Sequence, residues 1–129
     1  PFWLAESQEA RMYTVGFALL TGAAWALMWA WDQLTIPARR PPVGRLVLFA
    51  LLSALALATH YNAVFILLAW YGWWGIWALL RTDRWRQLST LFLTGLGTLL
   101  LLLPLAPIAL PQITDYATPI SSRHRLPYI

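Results

Sequence analysis

Few residues in this 129-residue chain could do chemistry, because most of the others are apolar. Glu9 and Arg11 stand two apart near the beginning. His60 sits in the polar cluster Thr59-His60-Tyr61-Asn62, inside an apolar run. Asp115, Arg123, His124 and Arg125 gather in a polar tail. On a helix Glu9 and Arg11 point to different sides and cannot pair directly, which favours contacts with other elements. Each group also has a plainer reading. Glu9 suits a helix N-terminus, Arg11 can contact lipid phosphate, and His60 can cap a helix end in an interfacial turn. With no Cys and two distant histidines, no compact metal-ligand spacing is present, and no metal site is assigned.

The composition sets these residues in a membrane. Sixty percent of the chain is apolar, 11% is charged, and mean hydropathy is +0.59. Soluble domains carry roughly 25% charged residues. All nine basic residues are Arg, and they lie in short clusters between apolar runs rather than in one patch. That pattern speaks for membrane topology and against nucleic acid as a partner. Ionisable groups near membrane depth are functional suspects by default. The chain starts at Pro1 and stops in a polar segment, and we read it as an internal piece of a longer protein.

The run from Leu46 to Leu80, bounded by Arg45 and Arg81, organises the rest. Apart from tyrosine, its one ionisable group is His60. As a single helix it would be ~52 Å long at ~1.5 Å per residue, against a hydrocarbon core of ~30 Å. Two short crossings with a tight turn at Thr59–Asn62 fit better. The expectation is an all-α membrane protein with four transmembrane helices, near 9–31, 43–59, 61–80 and 88–110, in one polytopic domain. Residues 1–8 read as an amphipathic lead-in with Ser7 as N-cap, and 111–129 as a polar tail. Gly16, Gly22, Ala23 and Ala24 offer close packing. Pro42 suits the first position of the second helix, and Arg45 can snorkel toward headgroups. Trp70, Trp73, Trp74 and Trp77 share a face by spacing, which reads as packing or lipid contact. Pro104 and Pro107 should kink the fourth helix, and Pro111 should end it. Six of the nine arginines fall in 32–45 and 81–87, so the positive-inside rule puts those loops in the cytoplasm. The lead-in, the His60 turn and the tail then share the outer side. The competing topology merges Leu46–Tyr71 into one helix.

The order Ser-Gln-Glu-Ala-Arg-Met-Tyr (7–13) opening a membrane helix, then Ala-Thr-His-Tyr-Asn-Ala (58–63) in a turn, resembles bacterial membrane glycosyltransferases of the protein O-mannosyltransferase clan. These are dolichyl-phosphate-mannose-protein mannosyltransferase-like enzymes of the GT-C type, built as larger polytopic bundles. The resemblance covers nearly the whole chain. It implies transfer of a sugar from a polyprenyl-phosphate donor, at the outer side of a bacterial inner or plasma membrane. It implies that Glu9 and Arg11 lie near the active-site cavity. It also places His60 where many relatives carry Lys, at the rim that meets the lipid phosphate. A neutral His donates one hydrogen bond to phosphate and a protonated one adds charge. The family's catalytic carboxylate lies upstream of residue 1, so no catalytic residue is assigned, and the chain alone is expected to be inactive. Many relatives use a divalent metal, which the full-length enzyme could share; no cofactor is evident in these residues. The implied partners are the lipid-linked sugar donor and membrane lipids. Competing readings are a transporter fragment, a structural membrane subunit, and a polyprenyl-linked sugar polymerase or ligase.

Overall fold

The computed structural model describes residues 2–36, 39–105 and 107, with side chains from residue 11 onward except that of Met12 and that of Leu105. Among them there are four α-helices and no strands: α1 (Phe2–Leu34), α2 (Val43–Thr59), α3 (Ala63–Leu79) and α4 (Arg84–Leu102). A 3-10 turn, Leu103–Leu105, follows α4. The Tyr13–Leu34 part of α1 has 22 residues and mean hydropathy 1.4, long and apolar enough to cross a membrane. The apolar helices α2 and α3 have 17 residues each.

The polar cluster divides the long apolar run. Helix α2 ends where His60 turns extended, at φ −155° and ψ 115°. The Thr59 hydroxyl donates to the carbonyls of Ala56 and Leu55, at 2.9 and 3.1 Å, and the Ala56 carbonyl also accepts the His60 backbone N–H at 2.9 Å. Backbone bonds from Ala63 to His60 and from Val64 to Tyr61 then start α3. A single helix over Leu46–Tyr71 is thereby excluded.

Three boundaries differ from expectation. Helix α1 starts at Phe2, so Ser7 is not an N-cap and Glu9 lies in the third turn rather than the first. Phe2–Tyr13 contains no Gly or Pro and is rich in Leu, Ala, Glu, Gln and Arg, so one interior Ser does not stop it. Helix α4 starts at Arg84, which puts Arg84 and Arg86 on the helix rather than in a loop. It gives way to the 3-10 turn at Leu103. Pro104 has no N–H to continue the α ladder, so regular α geometry is interrupted where the kink was expected. Leu103 keeps αR angles (φ −53°, ψ −42°), and Pro107 is again helical. The expected end at Pro111 and the tail 111–129 lie outside the described residues.

Helix α2 packs against each of the other three. Against α1 it runs antiparallel: Gly16 faces Thr59 and His60, and Trp29 meets Arg45 at the other end. Along α1, Gly16, Ala23, Leu27, Ala30 and Leu34 are buried, at steps of seven, four, three and four that keep them on one face. Small residues on that seam allow close approach, and a Cβ at Gly22 would stand 3.3 Å from Leu52. In the tryptophan stripe of α3, Trp74 is buried, Trp70 and Trp77 are half-buried and Trp73 is exposed. Trp31 of α1 meets Trp73 and Trp77, both at 4.6 Å between ring centroids, and Phe49 of α2 meets Trp70 and Tyr71.

Because Ala23 is 0% exposed on this seam, Ala23→Leu should cost about 1–3 kcal/mol by overpacking. Thermal unfolding in detergent reads the loss. Phe17→Leu, at an exposed position of the same helix, should stay within about 0.5 kcal/mol.

Candidate functional site

The bundle has two polar ends. At one, the His60 imidazole lies against Tyr13 of α1, edge to face, with centroids 4.7 Å apart. Asn62 Nδ2 is 3.2 Å from His60 Nε2. In the neutral tautomer that accepts from Asn62, the proton sits on Nδ1, which leaves the ring one N–H donor. Gly16 lies directly against this turn: a Cβ there would stand 3.7 Å from His60 Cβ, an ordinary contact distance.

The expected site residues are distributed around this end. Tyr13 and His60 are in contact. Glu9 is four residues before Tyr13 on α1 and shares its helical face by register; the side chain of Glu9 lies outside those described. Arg11 is exposed and stands two residues before Tyr13, about 200° round the helix from it. It therefore shares the end of the bundle with His60 but not the face that touches it. Asp115, Arg123, His124 and Arg125 lie outside the described residues. Among those described, no three His, Cys, Asp or Glu residues come together as a metal site would require.

At the other end three arginines, Arg45, Arg81 and Arg86, are structural. Gln87 Nε2 donates to the Leu34 carbonyl at 2.8 Å, Arg81 to that of Thr35 at 2.7 Å, and Arg86 to those of Ile36 and Arg39. Arg45 does not simply reach toward headgroups. It donates to the Trp29 carbonyl at 2.5 Å and stacks over the Trp29 ring at 4.1 Å. Asp83 gathers three of these donors, with Arg86 at 2.6 Å, Gln87 at 3.1 Å and Arg81 at 3.4 Å. Partial desolvation pushes its carboxyl up, but the hydrogen bonds from Gln87 and Arg86 and the Arg86 charge outweigh it. The net result lies below the ordinary aspartate value.

One set of polar residues escaped the sequence reading. Gln87, Thr90, Thr94 and Thr98 are the buried face of α4. Each threonine hydroxyl donates to the carbonyl four residues back, at 2.8 to 3.0 Å. Tyr71 joins the row through a 3.1 Å bond to Thr98. The signal was available in the spacing of four between the threonines.

Comparison with protein-family models, with curated proteins and with solved structures finds no match.

Asp83 supplies a pH test. Its folded-state pKa lies below the unfolded value, so its stabilisation is complete above the usual aspartate range. That contribution is lost as pH falls through the folded value. Asp83→Asn should cost about 1 kcal/mol at pH 7, the upper range for a partly exposed ion pair. Thermal unfolding of the two proteins should converge in acid below the folded pKa. A gap that persists there would contradict the assignment.

Proposed function

We propose that the chain is part of a GT-C-type integral-membrane glycosyltransferase that uses a polyprenyl-phosphate sugar. The observation that carries this reading is the Tyr13–His60 contact. The two segments on which the resemblance rests, 7–13 and 58–63, are 45 or more residues apart in sequence and meet at one end of the bundle through Tyr13 and His60.

Multi-pass insertion is part of the proposal. Its support is the inverted pattern of α4, which buries Gln87, Thr90, Thr94 and Thr98 and exposes Phe92, Leu93, Leu99 and Leu100. A helix on a water-soluble domain would show the opposite arrangement. Helices α2 and α3 also expose Val47, Leu51, Phe65, Leu68 and Ile76, which suits lipid. With the arginine-rich end in the cytoplasm, His60 and Arg11 stand at the outer surface. There Arg11 and His60 bind the lipid-linked phosphate by charge-assisted hydrogen bonds, and Glu9 orients neighbouring groups. Arg11 can reach the same phosphate from its own face because its side chain is long and flexible at a helix end. The general base comes from outside these residues.

The test is sugar transfer from a polyprenyl-phosphate donor by the full-length protein in membranes, with expression matched. Arg11→Ala should weaken donor use by about 1.5–3 kcal/mol, the range for hydrogen bonds to charged groups. His60→Lys should retain more activity than His60→Ala, because Lys binds phosphate as a point charge. Parent-like transfer by both Arg11→Ala and His60→Ala, across donor concentrations, would remove these residues from the site.

A further inference from the structure

A groove of about 240 Å³ runs between α2 and α4 at the arginine-rich end, remote from His60. Pro41 and Val43 open it, Leu46, Val47 and Ala50 form one wall, and Leu93 and Gly97 stand on the other. It follows α2 for seven residues, about 10 Å. Two polar side chains, Thr90 and Thr94, line it. Their hydroxyls donate at 2.8 Å to the carbonyls of Arg86 and Thr90. The groove therefore suits hydrocarbon rather than a polar ligand. A whole helix, about 10–12 Å across with its side chains, is too wide to enter it.

Charge marks the mouth. Arg39 and Arg40 directly precede Pro41 and are exposed. The bond from Arg86 to the Arg39 carbonyl ties this segment to the start of α4. Arg39, Arg40, Arg45, Arg81, Arg84 and Arg86 share this end with two aspartates, Asp32 and Asp83, and Asp83 is engaged by Arg81 and Arg86. Helices α2 and α4 both begin here, so both positive dipole ends face the mouth. We infer that the groove holds one acyl chain of an anionic phospholipid, with Arg39 and Arg40 meeting its phosphate. The cytoplasmic leaflet, where the membrane placement proposed above puts this end, is the anionic one.

The experiment uses the protein in lipid nanodiscs that carry a phospholipid with a photoactivatable acyl chain. One preparation has a phosphatidylglycerol headgroup and the other phosphatidylcholine, on the same chains. Crosslinked peptides are located by mass spectrometry. Phosphatidylglycerol should label residues 41–50 and 88–103 more than phosphatidylcholine, by roughly fivefold for each arginine that meets the anion. The double variant Arg39→Gln, Arg40→Gln should bring phosphatidylglycerol down to the phosphatidylcholine level. Gly97→Leu should suppress labelling by both lipids, because a Cβ there meets nothing within 4 Å and the side chain fills the groove without displacing a neighbour. Circular dichroism and thermal unfolding establish that each variant is folded. Equal labelling by the two headgroups in the parent, labelling unchanged by Gly97→Leu, or no label in the groove overturns the inference. Failure to enter nanodiscs also overturns it, through the membrane placement, and is read separately from sugar transfer.

Discussion

The carbonyls left open where α1 ends govern how this bundle is assembled. A helix terminus leaves its last four C=O groups without intrahelical partners, and α1 has no basic residue in its last turn to answer them. The Trp31 and Gln33 carbonyls are met locally by the N–H groups of Thr35 and Ile36, and that of Asp32 by the Thr35 hydroxyl. The Leu34 carbonyl, and those of Thr35 and Ile36 just beyond the helix, take donors from the distant segment 81–87: Gln87 to Leu34, Arg81 to Thr35 and Arg86 to Ile36. Capping α1 therefore also docks the end of α3 and the start of α4 onto it. Asp83 keeps this cluster of cations together by accepting from Arg86 and Gln87 and pairing with Arg81. Three of the arginines that a topology rule treats as interchangeable positive charges, Arg45, Arg81 and Arg86, have separate acceptors here.

With that end fixed, α1, α2 and α3 bury mainly apolar side chains, whereas α4 sorts its side chains in an unusual sense. Helix α4 turns its threonines inward and exposes Phe92, Leu93, Leu96, Leu99 and Leu100. The inward hydroxyls are satisfied within their own helix, apart from the Tyr71–Thr98 link, so burying them leaves no open donor. Small residues on α1 let α2 approach closely. That close approach brings the start of α1 against the α2–α3 turn, where Tyr13 meets His60.

Much of the architecture was legible in the sequence. The overlong run between Arg45 and Arg81, broken by one polar cluster, gave the α2–α3 hairpin, because length and polarity leave few alternatives. Helix ends were harder. Ser7 resembled a cap, but capping needs a break in the preceding helix, and Phe2–Tyr13 offers none. Pro104 interrupts the α geometry where a kink was expected, but the 3-10 form of that interruption was not legible from the proline alone. For the site, shared sidedness of Arg11 and His60 could be argued from spacing. Which face of α1 meets His60 could not, because it depends on how α1 rotates against α2. That rotation is set by Gly16, Ala23 and Ala30, and it turns Tyr13 rather than Arg11 toward the ring.

The central claim is that the arginine-rich end and the His60 turn stand on opposite sides of a membrane. These 129 residues contain no cysteine, so each reporter is the one thiol among them and is scored against the parent protein. Tyr61→Cys uses the exposed tip of the hairpin and Arg84→Cys the exposed start of α4. Each is to be tested in intact cells with a membrane-impermeant maleimide, and again after permeabilisation. The account predicts labelling of Cys at 61 in intact cells and of Cys at 84 only after permeabilisation. Labelling of both positions from the same side would contradict it.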